Sequence, residues 1–190
     1  TSAFALRYDV YVYMPVLLFL TLGIFYPLRR KFKYFSSLPG TKDVITALGW
    51  AFVCVYVPAS SHNIIFSKSA ALACAYGFLL VFTRSVILSI GTEYKDIILS
   101  KESFYKAFGI TKTKIVLTFI ILALTAVLIK LLLMHWKTDL VSMLLLGHIY
   151  TVITVVYFYS KRIPRGVFSE TVIDGQFYLL ALLAFINALI

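Results

Sequence analysis

Charge is scarce in this chain of 190 residues: only 14% of positions are Asp, Glu, Lys or Arg, against the quarter usual for a soluble domain. Acid is scarcest, with 8 Asp and Glu beside 18 Lys and Arg. Two cysteines, Cys54 and Cys74, rule out a disulfide framework, and no Cys or His spacing suits zinc or a redox pair. Each thiol falls inside an apolar run and is expected to be buried as a small hydrophobe. Short alternating segments are missing too, which argues against a membrane β-barrel.

What fills the chain instead is apolar. Hydrophobic residues make up 61% of it, and the mean hydropathy is +0.93. Six runs reach or approach the ~18 residues that cross a bilayer as a helix: 10–28, 43–58, 69–90, 115–136, 140–159 and 172–190. The expected fold is all-α, a polytopic transmembrane helical bundle of about six membrane-spanning helices in one domain, 1–190. No linker, repeat or low-complexity segment divides it.

The net charge of +10 does not point to nucleic acid, because the cations sit in the connections between runs. Arg29, Arg30, Lys31, Lys33 and Lys42 follow the first run. Lys95, Lys101, Lys106, Lys112 and Lys114 follow the third, and Lys161, Arg162 and Arg165 the fifth. The other side has Arg7, Lys68, Lys137 and a snorkelling Lys130. The excess of Lys and Arg makes the three basic connections cytoplasmic, in an integral multi-pass protein whose partners include membrane lipids. Residue 1 then lies outside without a signal-peptide layout, which leads us to expect an odd number of helices upstream.

Local signals divide the runs. Asp43 reads as the N-cap of the second and Pro58 as its close. Ala70, Cys74 and Gly77 recur at helical spacing and predict a close helix–helix contact. His148, inside a membrane run, suits either a hydrogen bond to a neighbouring helix or, less often, a pigment or haem.

The polar insert 91–109 carries the richest chemistry. Extending the third helix inward aligns Thr92, Asp96, Ser100 and Ser103 on one face. Asp96 and Glu93 are oxygen donors suited to Mg²⁺. Arg84 lies about 12 Å further along the axis from Thr92, and at that depth it requires a carboxylate, carbonyl or phosphate. The cluster of Tyr26, Arg29, Arg30, Lys31 and Lys33 suits a diphosphate or anionic head group, or serves only to set topology.

Together these pieces resemble the UbiA superfamily of intramembrane aromatic prenyltransferases. Its second Asp-rich motif corresponds to Thr92, Asp96, Ser100 and Ser103, followed by Phe108-Gly109 and preceded by Arg84. Its Tyr-x-x-x-Lys element reads Tyr26 to Arg30 here, and Lys42-Asp43 through Gly49-Trp50 resembles the start of its fifth helix. The resemblance runs from Leu22 to Gly109 and makes the six helices the family's fourth to ninth, with three upstream. It implies Tyr26, Arg30, Lys42 and Arg84 as diphosphate-binding candidates, Asp96 and Glu93 as metal ligands, and Mg²⁺ as cofactor if the chain is active. It assigns no catalytic residue.

The departures are as informative. Nothing like the first Asp-rich motif occurs between the second and third helices, and Thr92 and Ser100 replace the second motif's leading Asp and its Gly. The resemblance therefore implies a catalytically degenerate scaffold or accessory subunit among other membrane protein subunits, with a lipid- or quinone-like ligand as a further partner. The alternative is the C-terminal part of an active prenyltransferase that moves a prenyl group from a prenyl diphosphate to an aromatic or lipid acceptor. A third reading is a small carrier for a lipid-linked molecule. The topology can be checked directly. A cysteine at Ser36 should label only from the cytoplasmic side and one at Ser61 only from the opposite side; labelling of residue 36 from outside would reverse the orientation.

Overall fold

A computed structural model of the chain describes residues 17, 21, 40–61, 67–91, 103–160 and 167–189. No strand occurs among them. Helix α1 runs Thr41–Ala51, passes through a π-helical turn at Phe52–Tyr56 and continues over Val57–Ser61; α2 is Lys68–Gly91 and α3 the short Phe104–Phe108. Then come α4 (Ile110–Leu133), α5 (Thr138–Ser160) and α6 (Val167–Leu189). Four segments among the described residues are long and apolar enough to cross a membrane: Thr41–Ala59, Lys68–Ile90, Ile110–Leu133 and Thr138–Tyr159. The expected first run, 10–28, lies outside the described residues except for Leu17 and Thr21. The chain divides into two compact units, Thr1–Phe82 with Leu99–Ala107 and Thr83–Ile98 with Phe108–Ile190.

In the first unit, α1 buries a stripe of small side chains, Asp43, Ala47 and Ala51, at intervals of four. Its start differs from the sequence expectation. Gly40, not Asp43, is the N-cap, with φ of 74° and no side-chain cap bond. Asp43 falls within the first turn, where its charge favours the helix dipole, and its carboxylate accepts the backbone N–H of Phe104 at 2.8 Å. The expected stop at Pro58 also gives way, since the helix runs on to Ser61. Proline removes one N–H and crowds the carbonyl four residues back. Directly before it the helix widens, and Val57 N–H bonds Phe52 O five residues back. Val55 of this turn meets α2 at Gly77, where an added Cβ would lie 3.7 Å from Val55 Cγ2. Of the small residues expected to make a close helix–helix contact, Gly77 alone is seen to approach α1, at ordinary van der Waals distance. Cys54, expected to be buried, is exposed on the same turn, while Cys74 is half-buried.

In the second unit, α5 packs against both α4 and α6. From α4 come Thr113, Leu117, Ile121 and Leu128, on one face by steps of four and seven. From α5 come Val141, Leu144, His148, Thr151, Val155 and Phe158. The opposite face of α4 exposes Ile115, Phe119 and Leu122, with Phe119 72% accessible. In water such a face is a liability, whereas in hydrocarbon it is the solvent-compatible side. The α4–α5 turn is tight, with His135 at φ 53° and Lys137 at φ 45°.

Gly175 of α6 makes a notch in this unit. The Tyr150 hydroxyl reaches through it to donate to the Val172 carbonyl at 2.7 Å, and a Cβ at 175 would lie 2.2 Å from that hydroxyl. Gly175→Ala is expected to destabilise the helical unit by about 1–3 kcal/mol through overpacking. Thermal unfolding in detergent checks this, with Tyr150→Ala in the same chain recovering most of the loss.

Candidate functional site

The described residues bring a half-buried ion pair together in the second unit. Arg84 on α2 and Asp174 on α6 form a two-pronged ion pair: Nε donates to Oδ1, and Nη2 donates to Oδ2 at 3.0 Å. Both side chains are about one-third accessible, at 32% and 30%. Arg84 precedes the end of α2 by seven residues and Asp174 follows the start of α6 by seven, so each sits about 10 Å inside its helix. The pair therefore brings those two helix ends to the same level. Glu170, one turn before Asp174 on the same face, adds further electrostatic attraction on Arg84.

A second polar clamp closes the same end of the unit. Lys114 Nζ donates to the Tyr159 carbonyl at 3.4 Å and lies 5.0 Å from the centroid of the Tyr159 ring. The Tyr159 hydroxyl donates back to the Lys114 carbonyl at 2.9 Å. A lysine at the last turn of α5 also complements that helix's dipole.

Deeper in, α5 carries a buried polar stripe. His148, 2% accessible, has Nε2 2.8 Å from Thr125 Oγ1 of α4. Thr125 Oγ1 is itself 2.8 Å from the Ile121 carbonyl. Thr151 reaches Gln176 Oε1 of α6 and the Gly147 carbonyl, each at 3.1 Å. These bonds tie three helices together, and they give His148 the interhelical role that its sequence position suggests. Ring nitrogen Nε2 is taken by a protein hydroxyl.

Of the residues named from sequence, Arg84 has found its acceptor, a carboxylate of the chain itself. Lys42 is exposed on the first turn of α1, in the first unit, and its carbonyl accepts the Thr46 hydroxyl at 2.8 Å. Tyr26, Arg30, Glu93 and Asp96 lie outside the described residues, as do Thr92 and Ser100. Ser103 does not continue α2; it stands just before the separate helix α3. Among the described residues no group of three or more His, Cys, Asp or Glu is arranged to hold a metal ion. At Arg84 the donor set does not fit Mg²⁺, because both oxygens of Asp174 are taken by a guanidinium and a cation would be repelled there.

Asp174 was not singled out from the sequence, although a signal existed. It is the one charged residue in 172–190, as Arg84 is the one charged residue in 69–90. A lone base and a lone acid at matching depths in two apolar helices are natural partners. No protein-family model matches the chain, and no curated protein or solved structure matches it either.

Removing one partner leaves the other charge partly desolvated. Arg84→Met or Asp174→Leu alone should lower stability by about 1.5–3 kcal/mol, discounted for the accessible third of each side chain. The pair replaced together should come within about 1 kcal/mol of the parent. A double-mutant cycle on thermal unfolding measures the difference.

Proposed function

We propose that the chain is a catalytically degenerate, prenyltransferase-like membrane protein that acts as a scaffold or accessory subunit of a larger membrane assembly. Six spans are taken in this reading, with 10–28 and Val167–Leu189 joining the four apolar helices, and the basic connections face the cytoplasm. The observation that carries it is the engagement of Arg84. The resemblance gives this arginine to a diphosphate, yet its fork is held on two nitrogens by Asp174. A bidentate carboxylate occupies the same donor geometry that a phosphate would use.

The sequence supports the same reading. Prenyl transfer of this type needs cations around the departing diphosphate, held by two acidic clusters. Here Thr92 stands where the second cluster has its leading Asp, so that carboxylate is missing. Losing one such electrostatic contact removes about 2.7–4 kcal/mol of transition-state stabilisation, which lowers the rate about 10²–10³-fold.

The purified chain, given a prenyl diphosphate and Mg²⁺, is expected to release diphosphate no faster than a protein-free control. Asp96→Asn should leave that background unchanged. Release that depends on Mg²⁺ and disappears in both Asp96→Asn and Arg84→Ala would instead establish an active prenyltransferase. Lipid- or quinone-like molecules remain the ligand class that such an apolar bundle accommodates.

A further inference from the structure

We infer that the outward face of α1 is a self-association surface, on which a second copy of this chain docks in parallel around Gly49. The inference rests on α1 spanning the membrane and is independent of the scaffold reading above.

Lys42, Thr46, Gly49 and Val53 recur along α1 and its π turn at intervals of four, three and four. They share a face flanked by Ile45 and Trp50 and turned away from the buried stripe of Asp43, Ala47 and Ala51. Trp50 is 56% and Val53 59% accessible. Among the described residues nothing lies within 4 Å of a Cβ placed at Gly49, so the chain leaves that notch unfilled. Glycine inside a helix is less stable than alanine. In membranes its use is to let the backbones of two helices approach closely.

Lipid satisfies an apolar face but not the polar groups on this one. Trp50 stands at the midpoint of the span Thr41–Ala59, about 14 Å from its start. Its indole N–H has no acceptor among the described residues. Tryptophan usually sits at the membrane–water interface, where that N–H is wet, and hydrocarbon offers it nothing. One turn earlier, the Thr46 hydroxyl donates to the Lys42 carbonyl at 2.8 Å, which leaves its oxygen lone pairs free to accept.

Helical side chains lean toward the N-terminus, so an indole at 50 reaches toward the level of residue 46. Two copies inserted the same way up put each Trp50 beside the partner's Thr46. Each indole N–H then donates across the seam, giving two bonds related by a two-fold axis. That reciprocity defines an isologous interface. Donor, notch and acceptor lie on one face, so the face complements itself. Lys42 begins the same stripe at the water level, where its flexible stem lets two copies hold their ammonium groups apart.

The test uses the full chain in phosphatidylcholine vesicles, with Cys54→Ala and Cys74→Ala. Energy transfer between copies labelled at Lys112→Cys reports dimerisation as the protein is diluted in lipid. The parent is expected to dimerise, with transfer that falls on dilution. Trp50→Phe and Thr46→Val each remove both symmetry-related bonds and should weaken the dimer about fivefold to tenfold. The two combined should be no weaker than either alone. Gly49→Leu should abolish dimerisation with helix content unchanged by circular dichroism, because the space over residue 49 is open. Cross-linking gives a second readout. In the same background without Lys112→Cys, Val53→Cys should form a disulfide-linked pair on oxidation, and Phe119→Cys on α4 should not. A monomer at every dilution, equal cross-linking at 53 and 119, or a dimer indifferent to Trp50→Phe, Thr46→Val and Gly49→Leu would overturn the proposal and leave this face to lipid or to another protein's helix.

Discussion

Hydrocarbon offers no hydrogen bonds, and that single constraint organises the second unit. Any polar group carried into it must be satisfied by the chain itself. Arg84 illustrates the severity of the rule. Its charge is held by a carboxylate on a helix ninety residues away in sequence, at the same depth, with both prongs of the fork engaged. Because the two residues must meet, the end of α2 and the start of α6 share a level. The Lys114–Tyr159 clamp sets the start of α4 beside the end of α5 in the same way. Helix register follows from where charges find partners.

The apolar residues cannot supply that information. In lipid a leucine gains little by leaving the bilayer for a neighbouring helix, so packing, small residues and polar bonds must choose the partners. The fold uses all three. Gly77 admits Val55, and Gly175 admits the Tyr150 hydroxyl. His148, Thr151 and Gln176 bond across helices that are otherwise clad in aliphatic side chains. Each such bond contributes about 0.6 kcal/mol on average in a membrane, so several acting together decide register where none would alone.

This division explains what was legible in the sequence. Runs of apolar residues declare spans, so α1, α2, α4 and α5 appear where hydropathy puts them, and a lone arginine within one of them announces a hidden acceptor. The details that depended on distant chain were not legible. Asp43 has the chemistry of an N-cap, but a backbone N–H 61 residues away takes its carboxylate, and a glycine in the left-handed region begins the helix. Pro58 has the chemistry of a helix stop, yet a widened turn before it absorbs the missing donor. Cys54 lies in an apolar run, which predicts contact with something apolar but cannot say whether that is protein or lipid. Helical position on the π turn turns it outward. Of the site residues, Arg84 and Lys42 can be followed into the fold, whereas Tyr26, Arg30, Glu93 and Asp96 fall beyond the described residues.

The commitment of Arg84 bears on function through competition. A guanidinium whose Nε and one Nη already face a carboxylate keeps three further N–H donors, but a phosphate that takes the Nε–Nη2 edge must displace the carboxylate, which would then stand uncompensated in a partly desolvated place. The ligand's affinity must exceed what the internal pair loses, about 1.5–3 kcal/mol for a charged hydrogen-bonded contact. A site that also gathers metal ions meets that cost easily, because each bound cation adds attraction for the anion and offers the displaced carboxylate a new partner. Where no cation is gathered beside the pair, the internal carboxylate prevails. The second unit thus keeps its charged groups paired within the chain, as a low-dielectric surrounding requires.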